Sequence, residues 1–164
     1  MTIAHANSIT RVSTSAEFPL GYEVEVPATS EASSSMTNQG TQVWIYVFND
    51  DAALNWLTGM LIQRDVTPGN LTYDGIRSTG AVGAARILGV AQHAIPFGSY
   101  GFILKKGVGQ VLCDGNVSAD TAILPDANAG QCTDGAVTSA AIGVALAEDS
   151  GAASLVAAYL NCTG

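Results

Sequence analysis

Short runs of β-forming residues, separated by glycine-rich breaks, constrain the fold of this chain more than any other feature of its sequence. The clearest run covers residues 42–48, which are nearly all β-branched or aromatic, and it stops at Asn49. Further runs of this kind lie at residues 60–64, 85–91, 100–105, 110–113, 122–124, 141–147 and 155–160. Short strands divided by turns rich in glycine, of which the chain has 18, are typical of antiparallel β-proteins. The sequence therefore predicts an all-β fold, a small antiparallel β-barrel or sandwich, over residues 41–164.

Breaks in the β pattern predict where the chain turns. Residues 67–83 contain four glycines and Pro68, so they are predicted to form a long loop. Further breaks fall at residues 96–98 and 107–109. Residues 49–51 are Asn-Asp-Asp, which are good helix-capping residues, and the residues after them suit a turn or two of helix. We therefore expect one short helix near residues 51–58.

Residues 1–40 differ from the rest of the chain because serine and threonine are frequent in them. The pattern predicts one ordered piece there, a short strand at residues 22–26, where Tyr22, Val24 and Val26 alternate with two glutamates. We therefore divide the chain into an extended N-terminal arm and the β-barrel-like domain that follows it. A polar terminus of this kind is either an unstructured tail or an arm that lies against a neighbouring protein, and we expect the arm.

The charge balance excludes two classes of partner. Six Lys and Arg against 14 Asp and Glu give a net charge of −8. Duplex binding needs cations that displace phosphate counterions, so we expect no nucleic acid and no anionic membrane as a partner. No apolar stretch reaches the roughly 18 residues of a membrane span, and the N-terminus lacks the basic start and apolar run of a signal peptide. Only 12% of the residues are charged, against about 25% in an ordinary domain, which favours a surface that meets other protein.

Three cysteines, Cys113, Cys132 and Cys162, cannot all pair within the chain. An odd number does not fit the disulfide framework of a small secreted protein, so we expect assembly in a reducing cytosol. A bridge between Cys113 and Cys132 stays open as an alternative. The spacing of the three cysteines is not that of a zinc site.

No motif in the sequence predicts catalysis. The two histidines are His5, in the arm, and His93, beside a turn, and a surface or interface position is favoured for His93 over a catalytic one. Residues 114–120 place oxygen-bearing side chains at alternate positions, as a calcium loop does. Ala119 stands at the sixth position of that loop and Pro125 at the twelfth, so an ordinary turn is favoured. We therefore expect no enzyme activity, no catalytic residues, no metal site and no cofactor.

Three segments carry a resemblance to known proteins. They are residues 89–111 (GVAQHAIPFGSYGFILKKGVGQV), residues 44–50 (WIYVFND) and residues 142–146 (IGVAL), the last of which precede the run at residues 155–160. Over about residues 42–162 the chain resembles the small virion structural proteins of tailed bacteriophages, and it is most similar to their capsid decoration, or cement, proteins. The matching residues are mostly turn glycines and the β-rich frame, so the resemblance transfers no catalytic residue. Residues 1–40 lie outside it.

The resemblance implies a protein of the virion, on the outer surface of the capsid, assembled in the host cytoplasm. Its implied partners are the major capsid protein, whose neighbouring subunits it bridges to stabilise the shell, and itself as a homotrimer. The strand at residues 22–26 is then predicted to add to a neighbouring chain by main-chain hydrogen bonds. The predicted protein-interface residues are Tyr22, Val24, Val26, Trp44, Tyr46 and Trp56.

Three other functions remain open from the sequence. The first is another role in the virion, as a tail protein or a fibre adaptor. The second is a head-displayed carbohydrate-binding module in which Trp44 and Trp56 form a platform for sugars, although aromatic residues at strand spacing lie more often in a core or an interface. The third is a hydrolase that uses two of the carboxylates, but nothing singles out a pair.

Overall fold

Nearly all the regular structure of this chain is β-strand, as predicted. The computed structural model describes residues 9–27, 40–80, 82–138 and 140–164. These residues form twelve strands and one turn of 3-10 helix at Ala84–Arg86. The strands are β1 (Glu23–Val26), β2 (Gln42–Asn49), β3 (Leu61–Arg64), β4 (Asp74–Arg77), β5 (Ile87–Val90), β6 (Tyr100–Cys113), β7 (Asn116–Val117), β8 (Ala122–Pro125), β9 (Cys132–Gly135), β10 (Gly143–Ala145), β11 (Asp149–Ser150) and β12 (Ser154–Asn161).

The strands close into a barrel. Ten of them form one hydrogen-bonded sheet in the order β1-β2-β4-β3-β5-β6-β12-β10-β8-β9. β2 also pairs with β6, and β6 also pairs with β9. The strands on either side of β6 in this order therefore fold back and pair with β6 again. The result is a closed five-stranded β-barrel with extra strands attached, which confirms the predicted barrel. β7 and β11 form a separate two-stranded sheet.

Apolar side chains are buried on both faces of β2. One face contributes Ile45 and Val47 to a buried cluster that we call the barrel cluster. Its members are Ile45, Val47, Trp56, Ile62, Leu88, Ala91, Ile95 and Ile103. The alternate residues Trp44 and Tyr46 belong to a second and larger buried cluster, which extends as far as β12. A strand with both faces covered reads as a continuous apolar run, which is why β2 is the clearest strand in the sequence.

Residues 107–109, predicted as a break between two strands, lie inside one strand. β6 runs without interruption for 14 residues and pairs with β2 over its first half and with β12 over its second half. Gly107 has a φ of 110°, and a Cβ atom there would lie 2.9 Å from the carbonyl oxygen of Thr41. A Cβ atom at Gly109 would overlap the side chain of Leu104. Glycine is needed at these positions because neighbouring groups pass close to the strand, and the strand itself continues.

The helix predicted near residues 51–58 is absent, and this segment forms turns instead. Its capping residues make long-range contacts. Asp51 Oδ2 accepts hydrogen bonds from the backbone N and the Nε of Arg77, at 3.0 and 2.8 Å. The backbone N of Asp51 donates to Asn49 Oδ1 at 3.0 Å. Ala53 has a φ of 61°, which an α-helix does not accommodate. Tertiary hydrogen bonds therefore outweigh the local helix signal.

The predicted loop at residues 67–83 contains β4, which the sequence does not reveal. β4 lies parallel to the end of β2, with Phe48 opposite Asp74, and antiparallel to β3. A Cβ atom at Gly75 would lie 2.8 Å from both Ile62 and Trp56, so this glycine lets the strand pass close to the barrel cluster. Glycine in β4 thus serves close packing, although in the sequence it signals a loop.

The strand predicted at residues 22–26 is present as β1, but it belongs to the chain's own sheet. It pairs antiparallel with β2, from Glu23 opposite Ile45 to Val26 opposite Gln42. The prediction that this strand adds to a neighbouring chain is therefore corrected, because one edge of β1 is already occupied by β2 of the same chain. The rest of the predicted arm, residues 1–8 and 28–39, lies outside the described residues.

Aromatic packing fixes the segment before β1 against the same strand. The ring of Phe18 lies 5.4 Å from that of Tyr22, 5.3 Å from that of Tyr46 and 5.4 Å from that of Phe102. The backbone N of Glu17 also donates to the hydroxyl of Tyr46 at 3.1 Å. The described part of the N-terminal region therefore covers the outer face of β2 and β6.

Candidate functional site

The six residues predicted as a protein interface lie for the most part in the core. Val24, Trp44, Tyr46 and Trp56 are buried, and Trp56 is fully inaccessible to solvent. Tyr22 and Val26 are partly buried and pack against the larger cluster. The four buried side chains stabilise the chain itself, whereas an interface role for Tyr22 and Val26 stays a prediction. Other exposed residues are further candidates for a docking surface.

The two tryptophans do not form a platform for sugars. Trp56 lies in the barrel cluster, whereas Trp44 lies in the second cluster and donates its Nε1–H to Gln42 Oε1 at 3.2 Å. A sugar platform needs an exposed aromatic face. The hypothesis that Trp44 and Trp56 together bind carbohydrate is therefore inconsistent with the structure.

The residues considered for chemistry are dispersed. Both ring nitrogens of His93 are buried without a hydrogen-bond partner in the described part of the chain, and burial lowers the pKa of this histidine. Asp114 Oδ1 accepts from the backbone N of Asn116 at 3.2 Å, an ordinary turn contact. The described ranges hold no cluster of three or more His, Cys, Asp or Glu residues placed to bind a metal ion. No helix within the same ranges is long and apolar enough to cross a membrane.

The three cysteines are buried free thiols. Cys113 and Cys132 stand opposite each other where β6 and β9 pair in parallel. The two residues that could form the disulfide left open by the sequence are thus neighbours, but both are free thiols in this structure. Burial raises the pKa of Cys113 and of Cys162 to about 12, and it also raises the pKa of Cys132. Thiols in this state are poor nucleophiles, because the thiolate is the reactive form.

Two loops at one end of the barrel present exposed apolar side chains on a rigid base. We call this surface the loop tip and define it by its exposed residues Leu54, Leu57 and Phe97. Between them, the fully buried residues Trp56 and Ile95 form an isolated antiparallel bridge. Trp56 N donates to Ile95 O at 3.0 Å, and Ile95 N donates to Trp56 O at 3.1 Å. The backbone that carries the exposed side chains is thus held in place by buried neighbours.

A single buried amide ties the two loops together. Asn49, at the end of β2, donates through Nδ2 to the carbonyl oxygens of Leu54 at 3.0 Å and Ile95 at 2.8 Å. Across the same gap, Phe97 N donates to Asn55 Oδ1 at 3.2 Å. Apolar side chains that are ordered before binding lose less conformational entropy on docking, so the loop tip is suited to contact another protein.

Carboxylates lie close to the loop-tip residues in the sequence. Asn70 Nδ2 donates to Asp50 Oδ2 at 2.8 Å and to Asp65 Oδ2 at 2.6 Å. Burial raises the pKa of Asp50, and the nearby carboxylates of Asp74 and Asp65 raise it further. Burial also acts to raise the pKa of Asp65, but hydrogen bonds from Thr67 and Asn70 outweigh it and lower that pKa overall. This negative charge complements a partner surface that is basic.

A second apolar surface lies on the outer face of the sheet. We call it the β10–β12 face and define it by its partly exposed residues Val144 (40% exposed), Leu146 (38%), Leu155 (44%) and Tyr159 (43%). Val144 stands directly opposite Tyr159 in the β10–β12 pair, and Leu146 N donates to Ala157 O at 2.8 Å just beyond that pair. Neither strand contains a charged residue.

Neither surface was predicted from the sequence, although weak signals exist for both. Leu54 and Leu57 stand on either side of Trp56 in a segment of turns, and Phe97 lies between Pro96 and Gly98 at a turn. In β12, exposed and buried residues alternate from Leu155 onwards. Apolar residues at turns and on alternate positions of an uncharged strand are the signals that would have indicated an exposed apolar surface.

Comparison with known proteins gives one informative likeness. No family model matches the sequence, and no curated protein does. Among solved structures, the chain is similar to the N base of the head fiber protein gp8.5 of bacteriophage phi29. The TM-score is 0.52 at 14% sequence identity, and the match covers 73% of this chain and 94% of that one. At this identity the likeness shows a shared fold.

Proposed function

We propose that this chain is a structural protein of a bacteriophage head and, more specifically, a capsid decoration protein. In this role it binds the outer surface of the shell as a homotrimer and bridges neighbouring major capsid subunits, and it carries out no catalysis. The observation that most supports the proposal is the fold shared with nearly the whole base of a phage head fiber. The resemblance of residues 89–111 to decoration proteins points in the same direction, and those residues run from β5 through most of β6.

The loop tip is the surface that we assign to the capsid protein. Leu54, Leu57 and Phe97 are exposed, apolar and held by buried neighbours, which is the arrangement of a pre-ordered contact. A specific contact needs about 800 Å² on each partner. Three copies of such a contact in one trimer reinforce one another through effective concentration, so contacts that are weak alone hold the trimer firmly on the shell.

A second candidate function is that of a base or adaptor for a fibre. The similar phi29 chain is the N base of a head fiber protein, and the match spans 94% of it. In this role the chain contacts the head at one end and carries another polypeptide at the other. A second virion protein that binds this chain as tightly as the capsid does would favour the adaptor role over decoration alone.

Co-sedimentation with purified heads tests the proposal. Heads of the phage that encodes this chain are stripped of it, mixed with the recombinant full chain and pelleted. We expect saturable binding, and we expect Leu57→Asp and Phe97→Asp each to weaken it at least ~10-fold, because a charge would be buried in the contact. Val137→Asp is the matched control, since Val137 is 86% exposed and lies outside both surfaces.

Two results would count against the proposal. Heads that bind none of the wild-type chain would contradict any role on the shell. Binding that both loop-tip variants retain in full would contradict the assignment of the loop tip, while leaving a head-associated role in place. Cryo-electron microscopy of decorated heads then locates the chain, which we expect on the outer surface.

A further inference from the structure

The β10–β12 face has the size of a functional surface. Its four side chains expose on the order of 300 Å², comparable to the largest apolar patch on a typical monomer, ~300–600 Å². It extends onto β6, where Leu112 stands opposite Leu155 and Gln110 opposite Ala157. A standard interface buries about 800 Å² per partner, somewhat more than half of it apolar. The face therefore supplies most of the apolar area that one such interface needs.

The charge of the molecule identifies what this face can meet. Each copy carries a net charge of −8, so two copies repel each other over most of their surfaces. β10 and β12 contain none of that charge. Charged residues border the face instead: Lys106 stands opposite Asn161, the backbone N of Asp120 donates to Ala145 O at 2.9 Å, and Glu148 follows Leu146 by two residues. Copies of an acidic chain approach each other at least electrostatic cost through a neutral surface, whereas a basic partner gains more by meeting the carboxylates elsewhere.

We propose that copies of this chain associate with one another through the β10–β12 face. The proposal deepens the homotrimer proposed above and rests on it, since it places this face around the threefold axis, where the faces of all three copies meet. Val144 and Tyr159 lie at the centre of the contact because they are paired across the two strands. The residues that define the loop tip belong to neither strand, so the two proposed contacts are assigned to different side chains.

The test introduces charge at the centre of the face. A double variant, Val144→Glu with Tyr159→Glu, places two carboxylates per copy side by side, and like charges brought together in a contact cost several kcal/mol. Sedimentation velocity and light scattering measure the mass of the full chain over a range of concentrations up to about 100 μM. Val137→Glu is the control, and circular dichroism establishes that each variant is folded. Tyr159→Arg, a single change, replaces the double variant if that fails to fold.

Each outcome decides the question. We expect the wild type and Val137→Glu at three times the 16.7 kDa mass of one chain, and the double variant as a folded monomer with self-association at least ~100-fold weaker. A wild type that stays monomeric overturns both the trimer and its surface. A double variant that assembles like the wild type overturns the surface alone. A double variant that assembles normally but no longer pellets with heads shows that the face meets the capsid protein, which also overturns the proposal.

Discussion

Replacing Asn49 by aspartate tests whether one buried amide holds the loop tip in place. The Asn49 side chain is fully buried, and its Nδ2 donates to Leu54 O and Ile95 O, at 3.0 and 2.8 Å. An ionised carboxylate is almost isosteric with the amide but has no donor. Asn49→Asp therefore keeps the shape of the side chain and removes the two hydrogen bonds that join the loops. It also places a negative charge beside two carbonyl oxygens.

The size of the effect follows from those contacts. Each lost hydrogen bond contributes about 1 kcal/mol net to the free energy of unfolding. Leu54 O loses its side-chain donor, whereas Ile95 O keeps the bond from Trp56 N at 3.0 Å. A buried charge without a partner adds a further penalty of a few kcal/mol. We therefore expect Asn49→Asp to lower the free energy of unfolding by roughly 3–5 kcal/mol at neutral pH.

The pH dependence separates this cause from simple misfit. Burial raises the pKa of a carboxyl at position 49 in the folded state above its unfolded value of about 3.9. A folded state that binds more protons than the unfolded state loses stability as the pH rises. The loss in free energy of unfolding caused by Asn49→Asp is therefore largest above the folded-state pKa. This loss becomes smaller as the pH falls towards 4, where the protonated side chain again has one donor.

Urea denaturation at pH 7 and pH 5 measures both predictions. Asn116→Asp is the matched control because Asn116 is exposed in β7, and we expect it to change stability by less than about 0.5 kcal/mol. A loss below 1 kcal/mol for Asn49→Asp, or a larger loss that is the same at both pH values, would refute the reasoning. We also expect Asn49→Asp to bind heads more weakly than Asn116→Asp does, because a loosened loop tip docks more weakly.

Three further changes test the core that supports the surfaces. Trp56→Ala removes the largest side chain of the barrel cluster and is expected to cost about 3–5 kcal/mol in urea denaturation. Gly109→Ala is expected to lower the melting temperature strongly, because its Cβ overlaps Leu104, whereas Gly83→Ala, which has open space, is expected to change it little. Burial raises the pKa of Cys162 to about 12, so at pH 8 we expect alkylation, followed by mass spectrometry, to be roughly 1,000-fold slower in the native chain than in urea. Equal alkylation rates would contradict the buried thiol.

The strands of the barrel were predictable where an apolar run ends at polar or turn residues. β2, β3, β5, β8 and β12 fall within two residues of their predicted limits for this reason. The signal failed where glycine has a packing role. Gly75 in β4 and Gly107 in β6 read as loop or break, yet each lies where another segment approaches too closely for a side chain. Sequence alone does not say whether a glycine turns the chain or admits a neighbour.

The predicted helix failed for a different reason, since its local signal was sound. Asn-Asp-Asp at residues 49–51 does suit a helix N-terminus. In the folded chain, however, Asn49 bonds the loop carbonyls and Asp51 bonds Arg77, which is 26 residues away. These partners are known only once β4 and the loops have been placed. Tertiary contacts of this kind override local propensity and cannot be read from the segment itself.

The same limit explains why four of the six predicted interface residues are buried, and it changes the role of the N-terminal segment. Trp44 and Tyr46 alternate with Ile45 and Val47, and this alternation does not say whether a face packs on the chain itself or on a partner. Phe18 and Tyr22 of the same chain occupy that face, with ring centroids 5.3 to 6.5 Å from those of Tyr46 and Phe102. A segment that covers aromatic surface in its own chain cannot also offer those side chains to a neighbour. We therefore expect docking through apolar residues that the fold leaves uncovered, and in the described part of the chain these include the loop tip and the β10–β12 face.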